Sequence, residues 1–342
     1  MIILGIESSC DETSAAVVKD GRELLSNVVL SQIDIHKAFG GVVPEVAARS
    51  HIEVILPVIE QALQEASTTW DDIDAIGVTY APGLIGSLLI GSLAARTLAI
   101  LKNKPLYPIH HVEAHVYANF LVDPQPTFPM LSLIVSGGHS QLVLFRGHGD
   151  YALLGQTQDD AVGEAFDKVA KVIGLPYPGG PSIAQAALQG NPLAYSFPKA
   201  KLSGKYDFSF SGLKTAVLRR VQAECNKPHD YPSTQLAGLL TASQRNDFAA
   251  SFQRIAVETL VDKTVAAFHD HSPTSVVIAG GVAANQELRR QLKERLPIAI
   301  NYAAPSLCTD NAAMVATLAY YKAQNHDACD PYKLQVIPSL SM

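Results

Sequence analysis

The sequence predicts an α/β fold of two similar lobes, and two observations support this prediction. A unit of strand, polar loop, strand, turn and strand occupies residues 2–30 and recurs at 130–156. Strand and helix patterns alternate after the meander, as in an α/β lobe. Because the order of elements and the position of the polar loop recur half a chain apart, we interpret the pair as an internal duplication. Chance recurrence is the alternative, since three-stranded meanders are common.

The composition is that of a well-buried globular protein. The chain has 342 residues, of which 48% are hydrophobic and 17% are charged, and this balance argues against disorder. The net charge of -6 excludes a global electrostatic attraction to nucleic acid. A nucleic-acid partner would therefore need a local basic patch or a helper protein. The four cysteines form no C-x-x-C pair, which favours a reducing compartment.

The polar loops of the two units differ in chemistry. The first carries Asp11 and Glu12, whose charges would repel a phosphate unless a metal intervenes. The second contains Gly137 and Gly138, whose backbone N–H groups can approach a phosphate closely. Two such loops facing one cleft are the arrangement of the actin-like ATPase (ASKHA) superfold, in which a nucleotide lies between two duplicated mixed-sheet lobes.

We expect an N-terminal lobe of residues 1–128 with 312–342 and a C-terminal lobe of residues 129–311. The most apolar run, residues 84–101, contains several Gly and Ser residues and is interrupted by Arg96. These features predict a buried helix rather than a membrane span. The N-terminus lacks a basic region and is acidic early, which is not typical of a signal peptide.

A pair of histidines predicts a metal site. His111 and His115 are four residues apart, so a helix would place both imidazoles on one face, able to hold one divalent metal. A zinc peptidase has Glu directly after the first His, whereas Val112 stands there and Glu113 comes one residue later, about 100° around the helix. Two hydrogen-bonded structural histidines are an equal alternative. Asp310 is a candidate third ligand, or it caps the helix that follows.

Two further segments are candidates for ligand contact. The Gly280-Gly281 turn between a strand and a helix could present backbone N–H groups to a ligand, or it could serve close packing alone. Residues 198–220 contain six lysines and arginines against Asp207 alone, with two phenylalanines between them. A nucleic-acid patch and a solvated surface are equally compatible with that segment.

Six motifs occur in order along nearly the whole chain and together resemble one family. They lie at residues 5–13, 111–115, 136–139, 207–214, 280–285 and 309–311. The combination closely resembles the TsaD family of tRNA N6-adenosine threonylcarbamoyltransferases, once labelled O-sialoglycoprotein endopeptidases. Archaeal and eukaryotic members often have Tyr where Ile134 stands, so the sequence is similar to the bacterial branch.

The resemblance implies a reaction, its cofactors and its partners. The reaction is transfer of threonylcarbamoyl from threonylcarbamoyl-AMP to N6 of the adenosine 3′ of the anticodon, in tRNAs that read ANN codons. One divalent metal, Fe²⁺ or otherwise Zn²⁺, is implied at His111, His115 and Asp310, with an adenine nucleotide (threonylcarbamoyl-AMP or ATP) in the cleft. The implied partners are tRNA, a TsaB-like paralogous subunit and a TsaE-like P-loop ATPase, in the cytoplasm and without a membrane.

The resemblance also implies which residues contact the substrate. By position they are Ile134, Val135, Ser136, Gly137, Gly138, Asp167, Gly180 and Asn285. Asp11 and Glu12 match acidic residues that the family needs for activity, and Asp11 or His139 is our candidate for the general base. Two other functions stay open: a metal-dependent peptidase using His111 and His115, and a nucleotide-regulated binding subunit of the same fold.

Overall fold

The computed structural model describes residues 1–342, which divide into two compact units. The first unit consists of Met1–Pro126 and Asn301–Met342, and the second of Thr127–Ile300. Residues 301–311 thus belong to the first unit, whereas the predicted boundary placed them in the second. Asp310 is therefore in the same unit as the two histidines.

The chain forms two five-stranded sheets, and the boundary between the units falls within the last strand, Ile300–Tyr302. In chain order the strands are β1 (Ile2–Glu7), β2 (Glu12–Lys19), β3 (Glu23–Ser31), β4 (Ala75–Ala81), β5 (Leu106–His110), β6 (Met130–Val135), β7 (Ser140–Gly147), β8 (Asp150–Gln156), β9 (Ser275–Ala279) and β10 (Ile300–Tyr302). The strand orders are β3-β2-β1-β4-β5 and β10-β9-β6-β7-β8. The central strands are apolar because both of their faces are covered.

Twelve helices complete the two units. In chain order they are α1 (Ile33–Lys37), α2 (Pro44–Glu65), α3 (Ile85–Lys102), α4 (His111–Tyr117), α5 (Val162–Ile173), α6 (Gly179–Ala187), α7 (Ser211–Glu224), α8 (Ser233–Leu236), α9 (Ala242–His271), α10 (Gln286–Arg295), α11 (Pro305–Cys308) and α12 (Ala312–Asn325). Capping follows the expected rules: Thr241 and Gln244 form a capping box at the start of α9.

The two sheets have the same topology, and this confirms the predicted duplication. Read from the opposite edge, the second order is β8-β7-β6-β9-β10, which corresponds strand by strand to the first. In both sheets three antiparallel strands are followed by a parallel neighbour, β4 beside β1 and β9 beside β6. The predicted hairpin turn at Asp20-Gly21 is present, with both residues at positive φ, as such tight turns require.

Helix α12 lies directly on the first sheet because the strands beneath it carry glycines. A Cβ atom on Gly5 of β1 would overlap the carbonyl oxygen of Ala312 and would lie 2.7 Å from the nitrogen of Ala316. A Cβ atom on Gly77 of β4 would lie 2.6 Å from the Cβ atom of Ala319. Small residues on both surfaces therefore set the position of α12, and with it the position of the segment just before it.

Helix α3 buries one face and exposes the other. Its buried residues are small or recur at helical spacing, and they are Ser87, Leu88, Gly91, Ser92, Ala95 and Ala99. By length and composition α3 could cross a membrane, and 33% of it is buried. One such helix is weak evidence for a membrane span, because core helices of soluble proteins can have the same length and composition. The prediction that residues 84–101 form a buried helix is therefore wrong for the outer face of α3, where Ile85, Leu89 and Leu93 are exposed.

The basic segment at 198–220 is largely neutralised by acids from other parts of the second unit. Its ion pairs are Lys199 with Glu258 and Asp262, Lys205 with Asp270, Lys214 with Asp160, and Arg220 with Glu224. Phe208 and Phe210 are fully buried, so neither ring is available to stack on a base. The solvated-surface interpretation fits most of this segment better than a nucleic-acid patch.

Replacement of Gly5 tests the contact between β1 and α12. Because an added methyl group would overlap backbone atoms of α12, we expect Gly5→Ala to lower the free energy of unfolding by about 3 kcal/mol or to prevent folding. Gly212→Ala is the control, since a methyl group there meets nothing within 4 Å and the change should stay within about 1 kcal/mol. Urea denaturation followed by circular dichroism measures both, and equal midpoints would contradict the tight contact.

Candidate metal centre and ligand-contact residues

The helix that carries both histidines is held at its start by a third one. His110 ends β5 and caps α4, because its Nδ1 accepts a hydrogen bond from the backbone N–H of Glu113 at 3.4 Å. Its Nε2 lies 3.3 Å from the carbonyl oxygen of Leu340, to which it can donate. Burial lowers the pKa of His110 to about 4, so the ring is neutral. His110 therefore has a structural role, and His111 and His115 are the histidines available to bind a ligand.

The structure brings His111, His115 and Asp310 together. Their potential ligand atoms all lie within 4.8 Å of one another. Oδ1 of Asp310 lies 3.6 Å from Nε2 of His111 and 3.2 Å from Nε2 of His115. Both ring nitrogens of His115 are buried and make no hydrogen bond, which costs free energy unless another ligand is present. Two imidazoles and one carboxylate suit zinc or non-haem iron, so the group is compatible with a divalent metal.

Carboxylates surround the two histidines and dominate the local electrostatics. Burial opposes protonation of His111, but the charges of Asp310 and Glu7 outweigh it and raise the pKa of His111 to about 9. Burial, together with the charges of Asp310 and Asp11, raises the pKa of Glu12 to about 9. The site therefore concentrates negative charge that a bound cation would stabilise.

The carboxylate that a peptidase would need is directed elsewhere. Oε2 of Glu113 lies 3.9 Å from Nζ of Lys322 on α12, and Oε1 is buried without a hydrogen bond. Burial raises the pKa of Glu113. Neither carboxylate oxygen of Glu113 is hydrogen-bonded to the His–His–Asp group. This geometry does not favour Glu113 as a base for a metal-bound water.

The loop that carries Asp11 is anchored to two helices. The backbone oxygen of Cys10 accepts hydrogen bonds from Nε2 of His51 on α2 and from Oγ of Ser87 on α3, each at 3.0 Å. Glu12, the first residue of β2, accepts a hydrogen bond from Oγ of Ser31 at 3.0 Å. These contacts hold the two predicted acidic residues near Asp310, whose charge contributes to the raised pKa of Glu12.

The second predicted loop is a tight turn with an exposed glycine tip. The N–H of Ser136 donates to the oxygen of His139 at 2.8 Å, and the N–H of His139 is 3.2 Å from Oγ of Ser136. Gly137 and Gly138 are exposed, with open space where a Cβ atom would lie. The turn thus offers accessible backbone amides, as its composition predicted.

Two of the residues predicted to contact the substrate lie in the strand that precedes this turn. Ile134 and Val135 belong to β6 and are fully buried. Their side chains pack in the second unit because the strand extends up to the turn, so the solvent-exposed part of this motif begins at Ser136. The hydrophobic pattern predicted the strand and the turn as separate elements, and only the family resemblance grouped Ile134 and Val135 with the turn.

The remaining predicted contacts lie elsewhere in the second unit. Oδ1 of Asp167 on α5 accepts a hydrogen bond from the N–H of Gly179 at 2.6 Å, and Gly180 follows with open space around it. Asn285 caps α10 through the N–H of Leu288 at 3.0 Å and donates to Gln253 at 2.9 Å. Asp167 and Asn285 are thus both held by structural hydrogen bonds.

Sequence reasoning missed Glu7. This residue ends β1, is fully buried, and its Oε2 lies 3.2 Å from Nδ1 of His111. The sequence pattern that could have identified it is a carboxylate directly after an apolar strand, at the predicted start of a polar loop.

Solved structures with low sequence identity share this fold. HypF from T. kodakarensis is 13% identical with a TM-score of 0.61, covering 94% of this chain and 48% of that chain. Component A of the (R)-2-hydroxyglutaryl-CoA dehydratase of Acidaminococcus fermentans is 15% identical with a TM-score of 0.51, covering 95% of this chain and 100% of that chain. With the duplicated sheets, these likenesses confirm the predicted actin-like fold.

Relatives of much higher identity carry one common name. A protein of Thermomicrobium roseum is 52% identical, covering 95% of this chain and 92% of its own length. One of Symbiobacterium thermophilum is 53% identical, covering 94% and 91%, and one of Desulfitobacterium hafniense is 52% identical, covering 99% and 97%. Each is named tRNA N6-adenosine threonylcarbamoyltransferase. The family model of that description, TsaD, matches residues 23–317, and the chain therefore belongs to the TsaD family.

Proposed function

We propose that the protein transfers the threonylcarbamoyl group from threonylcarbamoyl-AMP to N6 of the adenosine 3′ of the anticodon. The tRNAs are those that read ANN codons, and the product is N6-threonylcarbamoyladenosine. The family match over most of the chain, with relatives of about 50% identity named for this activity, carries the proposal. The His–His–Asp group in the first unit and the exposed glycine turn in the second agree with it.

His111, His115 and Asp310 would hold one divalent metal, with Fe²⁺ as the expected ion and Zn²⁺ as the alternative. The support is the set of two nitrogen donors and one oxygen donor, and the buried, unbonded nitrogens of His115. A divalent metal bound there would supply Lewis acidity toward a phosphate or carbamoyl oxygen of the donor.

The chain's own residues would bind the donor and move one proton. The amides of residues 136–138 would stabilise negative charge on the phosphate of the departing AMP, and Asp167, Gly180 and Asn285 would hold its adenosine. The N6 amine attacks the carbamoyl carbon, the bond from that carbon to the phosphate oxygen breaks, and AMP leaves. Because an exocyclic adenine amine is a weak nucleophile, Asp11 or His139 would accept its proton. Glu12, hydrogen-bonded to Ser31, would orient the loop.

The apolar outer face of α2 and α3 would bind the TsaB-like paralogous subunit. We define this α2–α3 face by Ile52, Leu56, Ile85, Leu89 and Leu93, which are 61%, 54%, 61%, 41% and 50% exposed. The two helices touch, since a Cβ atom on Gly86 would lie 2.9 Å from the Cβ atom of Ala48. Contiguous exposed apolar surface marks an interaction site, and apolar side chains suit another protein better than the charged backbone of a tRNA.

The other partners would be tRNA and a TsaE-like P-loop ATPase, in the cytoplasm. The chain has a net charge of -6, and the ion pairs that residues 198–220 make with acids elsewhere leave that segment with little free positive charge. The partner subunits would therefore supply part of the surface that receives the tRNA backbone, whose binding is electrostatic and sensitive to salt.

Metal binding is tested without activity. After dialysis of metal-free protein against Zn²⁺ or Co²⁺, we expect the wild type to retain one ion per chain by mass spectrometry of the metal. His115→Ala should lose stoichiometric binding, because it removes one of only three protein ligands. His148→Ala is the matched control, since His148 lies in the second unit on the turn between β7 and β8. One ion per chain in His115→Ala would contradict the ligand assignment.

The transfer reaction is tested with its predicted partners. Protein, TsaB-like and TsaE-like subunits, threonylcarbamoyl-AMP and unmodified tRNA are mixed, and modified nucleosides are quantified by mass spectrometry. We expect product from the wild type and at least a 100-fold lower rate from His111→Ala and Asp11→Ala, in line with the loss of a catalytic group. His148→Ala should retain its rate. No product from wild type in the assembled complex would exclude the proposal, and cleavage of a peptide would then favour the peptidase.

The partner surface is tested by placing a charge on it. Loss of a buried leucine costs about 1.5–3 kcal/mol, so Leu93→Asp should weaken binding of the TsaB-like subunit at least about tenfold by isothermal titration calorimetry. Leu188→Asp is the control, because Leu188 is also exposed but lies in the second unit. Equal affinities of the two variants would exclude the α2–α3 face as the interface.

A further inference from the structure

The first observation is the environment of Glu7, a fully buried carboxylate at the end of β1. Oε1 accepts a hydrogen bond from the N–H of Ser9 at 2.6 Å. Oε2 accepts one from Oγ1 of Thr79 at 2.5 Å and lies 3.2 Å from Nδ1 of His111. Both oxygens therefore have donors, and the group is held by the neighbouring strands β1 and β4. Such a carboxylate is fixed in orientation.

The second observation is the direction of the His111 ring. Nδ1 faces Glu7 and also lies 3.1 Å from Oγ of Ser9, while Nε2 faces Asp310 at 3.6 Å. An ionised carboxylate can only accept hydrogen bonds, so Nδ1 must carry the proton. Both oxygens of Glu7 already accept hydrogen bonds, from the N–H of Ser9 and from Oγ1 of Thr79, which leaves Nδ1 as the donor in its contact with Glu7. Nε2 is then the ring nitrogen that faces Asp310 and that a metal could bind.

The third observation is the contrast with His115. Neither of its ring nitrogens makes a hydrogen bond, and the carboxylate near Nε2 belongs to Asp310, itself a proposed ligand, at 3.2 Å. A second hydrogen bond from a ligating imidazole usually orients the ring and increases its basicity. Of the two histidines, only His111 has that support, and Glu7 supplies it.

From these contacts we infer that Glu7 is a positioning residue for the metal site. It holds His111 with the proton on Nδ1 and aims Nε2 at the position between the histidines and Asp310. The inference rests on the proposed metal site but adds a residue that donates no ligand atom to it. Thr79 and Ser9 support it in turn by holding the two oxygens of Glu7.

The substitution that isolates this contact is Glu7→Gln. The glutamine keeps the size of the side chain, but its NH₂ group must face a donor, either the N–H of Ser9 or the pair formed by Thr79 and His111. The matched control is Glu113→Gln, because Glu113 is another buried carboxylate, on α4 itself, and its charged neighbour is Lys322. Thr79→Val removes one donor to Glu7 and gives a milder test if Glu7→Gln does not fold.

The first measurement is metal affinity by chelator competition with Zn²⁺, which needs no substrate or partner. We expect Glu7→Gln to weaken affinity about 10–100-fold, as for other residues behind metal ligands, and Thr79→Val to weaken it less. Glu113→Gln should stay within about threefold. Wild-type affinity in both Glu7→Gln and Thr79→Val would overturn the inference.

The second measurement observes the hydrogen bond itself. With ¹⁵N-labelled histidine, the Nδ1 proton of His111 should give a signal protected from solvent exchange, with and without Zn²⁺, and Glu7→Gln should lose that protection. If the wild type binds no Zn²⁺ but the proton is protected, the metal proposal fails and the contact with Glu7 stands. If Zn²⁺ binds and the proton is unprotected in the wild type, the positioning role of Glu7 is excluded, but the proposal of a metal site stands.

Discussion

The close contact between α12 and the first sheet is the constraint on which the metal centre depends. Only glycine fits at position 5, because any side chain there would overlap the backbone at Ala312. The N–H of Ala312 also donates to Oγ of Ser14 on β2 at 2.9 Å, so both packing and a buried hydrogen bond set the start of the helix. Asp310 lies just before this start. The parallel strands β1, β4 and β5 end at the same edge of the sheet, where Glu7 and α4 are found.

Bringing acids to that edge has an electrostatic cost, and the neighbouring groups show how it is offset. Glu7 is fully buried, yet its pKa is lowered because His111 and Ser9 stabilise the charge. Glu12 has no comparable cation, and its pKa is raised instead. A protein that used this region only for stability would do better with apolar side chains. A bound cation would offset the repulsion between these carboxylates. The packing that brings them together would then serve the proposed transfer chemistry.

The duplication shows how one topology can carry two chemistries. In the first unit, β1 ends at Glu7 and leads to a loop with Asp11. In the second, β6 ends at Val135 and leads to a turn with Gly137 and Gly138. The strands pair in the same way on either side of the loop, so the scaffold is shared. The side chains at the end of the strand decide whether the loop supports a cation or offers bare amides to an anion.

The sequence alone determined what depends on local pattern: the α/β class, the repeated strand unit, the Asp20-Gly21 turn and a helix with His111 and His115 on one face. These features follow from hydrophobic periodicity and backbone preference, which act over a few residues. The tertiary structure decided which distant groups meet. It placed Asp310 beside the histidines, Glu7 behind His111 and acids beside the lysines of residues 198–220, and it left one face of α3 exposed. Periodicity reports which residues are apolar or charged, but the neighbour that covers or neutralises them comes from another part of the chain.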